Sequence, residues 1–137
     1  MAGFTNADEV YTYIGGMFET AVKTDAIVEA TKDTDLVLQM TLTEPEAVIV
    51  VDFPGAKVLC GAAAEGVETT VQLSMSGENA NKFWQGKLNL PMAMAQRKVR
   101  MDGNKTSALK LLPLTGPLYE TYLNTLRADG RDDLIIS

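Results

Sequence analysis

Histidine is absent from the sequence, and Cys60 is its only cysteine. Without histidine there are no Ser-His or Cys-His nucleophilic dyads, and the commonest zinc ligand is missing. A lone cysteine excludes an internal disulfide and any multi-cysteine metal site, so Cys60 reads as a small buried hydrophobe. No metal and no cofactor is expected. No apolar run approaches the roughly 20 residues that a membrane-spanning helix needs, and the opening "MAGFTNADEVY" has no basic segment followed by an apolar one. The expectation is a cytoplasmic chain with neither anchor nor signal peptide. A phosphate-binding loop at "QGKLN" is excluded as well, because the Walker spacing needs glycine where Asn81 stands and a hydroxyl where Leu88 stands.

What the chain does have is an uneven charge. Its 137 residues are 46% apolar, enough for one globular domain spanning 1–137 with its own core. The formal net charge is -6, from 12 basic and 18 acidic residues. Between Lys82 and Lys110, however, seven basic residues face Asp102 alone, which is +6; the rest then holds 12 - 7 = 5 basic against 18 - 1 = 17 acidic residues, or -12. The acidic balance argues against nucleic acid as a partner. The basic stretch also carries Phe83, Trp84, Leu88, Leu90, Met92 and Met94, so apolar and positive side chains are concentrated together.

Hydrophobic spacing gives the coarse organisation. Thr5 and Asp8 suggest the cap of a first helix whose apolar face is Val10, Tyr13, Ile14, Met17, Phe18, Ala21 and Val22, with Gly15-Gly16 weakening it or allowing close packing. "DAIVEATK" suggests a second short helix. The period then turns to alternation: "DLVLQMTL" and "AVIVVDF" form a hairpin, "AKVLCGA" a third strand and "VETTVQLSM" a fourth. The unbroken apolar run Val48 to Val51 predicts a strand covered on both sides. Ser76 can cap the helix "GENANKFWQ", which Gly86 stops, and Pro91 suits the first turn of "PMAMAQ". "RKVRM" is a fifth strand with Val99 and Met101 opposite Lys98 and Arg100. "NKTSALKLL", capped by Asn104, is a helix, and Pro117 opens a last one with Leu118, Tyr119, Tyr122, Leu123 and Leu126 as its stripe. The tail "RDDLIIS" is expected to be frayed or loosely docked. Short loops imply mostly antiparallel neighbours.

No carboxylate pair has a spacing that singles it out for acid-base work, and a solvated surface accounts for most of the acids. Met92, Met94, Met101, Met75 and Met40 admit two readings: an ordinary core, or the adaptable wall of an apolar cavity. Any single cation reads as a solvated charge; the cluster of seven points to an anion.

Residues 83–112, "FWQGKLNLPMAMAQRKVRMDGNKTSALKLL", resemble the signature of the sterol carrier protein type-2 (SCP-2) lipid-transfer family. The matching pieces are Gly86-Lys87-Leu88-Asn89, then Pro91 with Ala93 and Gln96, then Lys98-Val99-Arg100-Met101, then Gly103-Asn104, then Ala108-Leu109-Lys110-Leu111; the similarity extends in element order over roughly 34–128. The chain departs from the family pattern in placing Leu90 before Pro91 and Arg97 where the family commonly has glycine. The resemblance implies an α+β fold with a five-stranded, mostly antiparallel sheet covered by helices around an apolar tunnel. By the same resemblance, Phe83, Trp84, Leu88, Met92, Met94, Ala95, Gln96, Met101, Leu109 and Leu112 would line the tunnel. Lys87, Arg97, Lys98 and Arg100 would meet an anionic head group or an anionic membrane surface in transient contact. The partner would be a lipid or other hydrophobic small molecule, carried without catalysis. The last helix, after a Gly116-Pro117 hinge, would be a lid. Two alternatives stand beside it: a small enzyme of the ketosteroid-isomerase type, in which Asp and Tyr work without His, and an SCP-2-like interaction module with a filled tunnel.

Overall fold

A computed structural model describes residues 4–104, 106 and 115–135. Five strands form its centre: β1 (Val37–Thr43), β2 (Ala47–Asp52), β3 (Lys57–Cys60), β4 (Val71–Ser76) and β5 (Val99–Gly103). They lie in the order β3-β2-β1-β4-β5. All neighbouring pairs are antiparallel except β1 and β4, which run parallel with Met40 opposite Leu73. Two short hairpins account for β1-β2-β3; the chain then crosses back to add β4 on the far side of β1, and a crossover of that kind permits a parallel pair. The alternation is visible in burial. Leu38, Met40 and Leu42 of β1 and Val71, Leu73 and Met75 of β4 are buried, while Gln39, Thr41, Gln72 and Ser74 on the opposite face are only partly covered. In β2, Ile49, Val50 and Val51 are all inaccessible, as the unbroken apolar run predicts.

The helices cover the face that carries Ile49. The first helix, α1, consists of Ala7–Val10, a π-helical stretch Tyr11–Gly15 and Gly16–Ala21. The π stretch ends at the Gly15-Gly16 pair, where the helix passes close to β3: a Cβ on Gly15 would lie 3.4 Å from Cys60 Sγ. Asn6, not Thr5, is the helix cap and accepts from the Glu9 N–H at 3.0 Å, while the Thr5 N–H and hydroxyl both donate to Glu9 Oε1 at 2.6 Å. The box is displaced by one residue because the Asn6 carboxamide occupies the capping geometry. Helix α2 is Asp25–Thr31, α3 is Gly77–Phe83, α4 is Leu90–Ala95 and α5 is Thr115–Ala128. Ser76 caps α3, accepting from the Asn79 N–H at 3.1 Å. Asn89 caps α4, which therefore begins at Leu90 and holds Pro91 in its first turn.

Four expectations are corrected. β4 begins at Val71, because Thr70 turns aside to accept the Val37 N–H on its hydroxyl at 2.9 Å. Gly116 and Pro117 lie within the first turn of α5 rather than ahead of it, where a missing N–H is harmless. Cys60 is half-buried rather than buried, and burial, followed by the charge of Glu19, raises its thiol pKa. The tail is anchored: Asp132–Leu134 forms a 3-10 turn with Leu134 inaccessible, and the Leu134 carbonyl accepts from Asn81 Nδ2 at 2.9 Å and Gln85 Nε2 at 2.8 Å. Asn81 Oδ1 in turn accepts from Gln85 Nε2 at 2.8 Å and from the Tyr122 hydroxyl at 2.6 Å. Arg131 bonds Glu9 and Asp133 and lies over the Tyr13 ring, 5.6 Å from its centroid. The expected helix "NKTSALKLL" falls mostly outside the described residues.

Candidate ligand-binding site

The mixed apolar and basic stretch divides into an inner and an outer part. Phe83 and Trp84, at the end of α3, go inward. Trp84 is 1% exposed and meets Phe18 of α1 edge to face at 5.1 Å between centroids, with Phe83 at 4.7 Å on another side. Its indole N–H has no hydrogen-bond partner among the described residues, an arrangement that costs on the order of 1–3 kcal/mol. Leu88, Leu90, Met94 and Met101 are partly buried against the same core. Met92, on the outer side of α4, is 56% exposed, and Ala95, Gln96, Lys87, Arg97, Lys98 and Arg100 are also exposed. Leu109 and Leu112 lie outside the described residues.

Two grooves meet where α4 turns into β5. One, of about 410 Å³, is lined by Met94, Arg97, Val99, Arg100 and Met101. The other, of about 390 Å³, is lined by Thr43, Ser74, Met75, Ser76, Asn79, Arg97, Lys98 and Arg100. Along β5 Val99 is buried and Met101 partly buried, whereas Arg100 is exposed and lines both grooves. Arg97 belongs to both grooves, so its side chain stands between an apolar floor and a polar, cationic one. Arg100 is paired with Asp102 at 2.8 Å, both being largely exposed, so the pair adds little stability. Phe83, Trp84, Lys87 and Met92 line neither groove.

Sequence reasoning did not single out Thr43, Ser74 and Asn79, and read Ser76 only as a helix cap. The available signal was weak: Ser74 and Ser76 alternate with Met75 and so must face away from the core, but nothing in the sequence places them beside Arg97. Among the described residues no His, Cys, Asp and Glu group could hold a metal ion, and no helix is long and apolar enough to cross a membrane.

A mixed five-stranded sheet of this order, with helices gathered on one face, defines an α+β protein of the sterol-carrier architecture. The chain belongs to the SCP-2 sterol transfer family, whose model matches residues 18–115. Similar solved structures include the sterol carrier protein domain 2 of Helicoverpa armigera, at 20% identity over 88% of this chain and 95% of that one, with a TM-score of 0.67. The apo form of sterol carrier protein 2 from Yarrowia lipolytica aligns at 16% identity over 86% of this chain and 95% of that one, with a TM-score of 0.60. The Aedes aegypti sterol carrier protein-2 in complex with the C16 fatty acid palmitate aligns at 21% identity over 80% and 94%, with a TM-score of 0.56. No match is found among curated protein sequences.

Proposed function

We propose that the chain, working as one unit over 1–137, binds and transfers hydrophobic ligands: fatty acids, acyl-CoA, sterols or phospholipids. The observation that carries this reading is the groove of about 410 Å³ in which Met94, Val99 and Met101 lie beside Arg97 and Arg100. An acyl tail presents only area to its binder. At roughly 25 cal/mol per Å² of apolar surface removed from water, methionine-lined walls hold it without specific hydrogen bonds. The palmitate carried by the Aedes aegypti relative has this chemistry. Phe83, Trp84, Leu88, Met92, Met94, Ala95, Gln96, Met101, Leu109 and Leu112 are the proposed tail contacts. Lys87, Arg97, Lys98 and Arg100 are the proposed contacts for an anionic head group or an anionic bilayer during exchange, in the cytoplasm. No catalytic step is proposed.

One observation favours the alternative of an interaction module with a filled interior: Trp84, Phe18 and Phe83 already occupy the space between α1 and α3. Native mass spectrometry of the purified protein, with solvent extraction of its cargo, separates the two. Adducts that extract as fatty acids, acyl-CoA or phospholipids support the carrier. A mass that stays bare after incubation with palmitate and cholesterol supports the interaction module.

A further inference from the structure

The helix ends carry the inference. Helix α3 is closed by a Schellman turn in which the Lys87 N–H donates to the Lys82 carbonyl at 2.9 Å and the Gly86 N–H to the Phe83 carbonyl at 3.0 Å. Helix α5 closes in the same way, Arg131 to Leu126 at 2.8 Å and Gly130 to Arg127 at 3.1 Å. In both, the residue that must turn left-handed is glycine, with φ of 72° at Gly86 and 70° at Gly130. Helix α4 makes the identical pair of bonds, Lys98 to Ala93 at 2.8 Å and Arg97 to Met94 at 3.1 Å, but the left-handed position, φ 61°, is held by Arg97. A side chain on Cβ disfavours that conformation, so at this one turn the chain accepts strain that it avoids at the other two.

The strained residue is also, with Arg100, one of the two that line both grooves. On one side lie Met94, Val99 and Met101; on the other lie Lys98 and the polar side chains of Thr43, Ser74, Ser76 and Asn79, with Arg100 reaching both. Among the described residues no carboxylate lines either groove. Neither Arg97 nor Lys98 forms an ion pair among the described residues, and Asp102 is engaged by Arg100. A fork of guanidinium donors, flanked by an ammonium and hydroxyls, suits the several oxygens of a phosphate. Resting on the carrier reading, we infer that the Arg97 turn is the head-group subsite for a phosphate-bearing amphiphile, the phosphate lying in the polar groove and the tail beginning along Met94 and Met101. Arg97 is then a binding residue for which fold stability is given up.

The test uses the full chain and three probes: dodecyl phosphate, dodecanol with the same tail and no charge, and inorganic phosphate with the charge and no tail. Affinities come from calorimetry, and the location from amide shifts at residues 97–101. Dodecyl phosphate should bind more tightly than dodecanol. Arg97→Gly should weaken dodecyl phosphate about tenfold or more while leaving dodecanol unchanged, and should raise the urea midpoint of unfolding. Arg97→Gln, which keeps a Cβ and the strain but removes the charge, should lose the phosphate preference without the gain in stability. Equal binding of dodecyl phosphate by the natural chain and Arg97→Gly overturns the inference, as does an equal loss for dodecanol. Inorganic phosphate binding as tightly as dodecyl phosphate would make this a free-phosphate site and overturn the amphiphile. If dodecanol binds and the phosphate adds nothing, only the head-group subsite fails; if no alkyl probe binds, the carrier reading fails with it.

Discussion

Replacing Asn81 by alanine tests the buried polar network that ties the tail to the helices. The Asn81 side chain is inaccessible and takes part in three bonds, with Leu134 O, Gln85 Nε2 and the Tyr122 hydroxyl. The first two partners keep each other, because Gln85 Nε2 also donates to Leu134 O at 2.8 Å. The Tyr122 hydroxyl, buried with its residue, is deprived of its acceptor, and an orphaned donor costs about 1–3 kcal/mol. Weakening of the other two bonds adds about 1 kcal/mol, and better helix propensity in α3 returns about 0.5 kcal/mol. Asn81→Ala should therefore destabilise by about 3 kcal/mol. Tyr122→Phe alone should cost only about 1 kcal/mol, since Asn81 Oδ1 keeps Gln85. The double variant should be less unstable than the sum by about 1–2 kcal/mol, because the orphaned hydroxyl is gone. Urea unfolding at constant m-value measures all three. A loss under about 1 kcal/mol for Asn81→Ala, or strict additivity, would refute the reasoning.

Gly86→Ala should destabilise by about 1 kcal/mol or more, since alanine is strained at φ 72° and its Cβ would sit 3.2 Å from the Tyr119 ring; Arg97→Gly should shift urea unfolding the opposite way by a similar amount. Glu9 has its pKa lowered to about 2 by the hydrogen bonds from the Thr5 side chain and backbone and by Arg131. Its contribution is thus complete above its unfolded pKa near 4.5 and is lost as pH falls toward about 2. The stability difference between the natural chain and Glu9→Gln, on the order of 1 kcal/mol at neutral pH, should close over that window in acid titration of unfolding; a difference independent of pH would contradict it. Trp84 is the only tryptophan, so the protein should give one indole N–H resonance, protected from exchange with solvent; rapid exchange would show that the ring is not buried.

Most of the architecture was legible because its signals are local. Alternation of Leu38, Met40 and Leu42 with Gln39 and Thr41 determines a strand and its inner face, and the Ser76 and Gly86 signals bracket α3 whatever surrounds them. The absence of histidine and of a second cysteine likewise removes whole classes of chemistry without reference to a fold. The family resemblance lay in the ordered motifs from Gly86 to Leu111. Tertiary structure decided what depends on residues distant in sequence. The parallel pairing of β1 with β4 follows from a crossover that no local pattern encodes. The tail looked loose because "RDDLIIS" carries no helical or strand period; it is held by Asn81 and Gln85, about fifty residues earlier, through a carbonyl that the sequence does not distinguish from any other. Trp84 and Met92, eight positions apart in one apolar stretch, were separated into core and surface by helix direction alone. Arg97 shows the same division: its charge is written in the sequence, but the left-handed turn that sets it between two grooves exists only when α4 stops against β5.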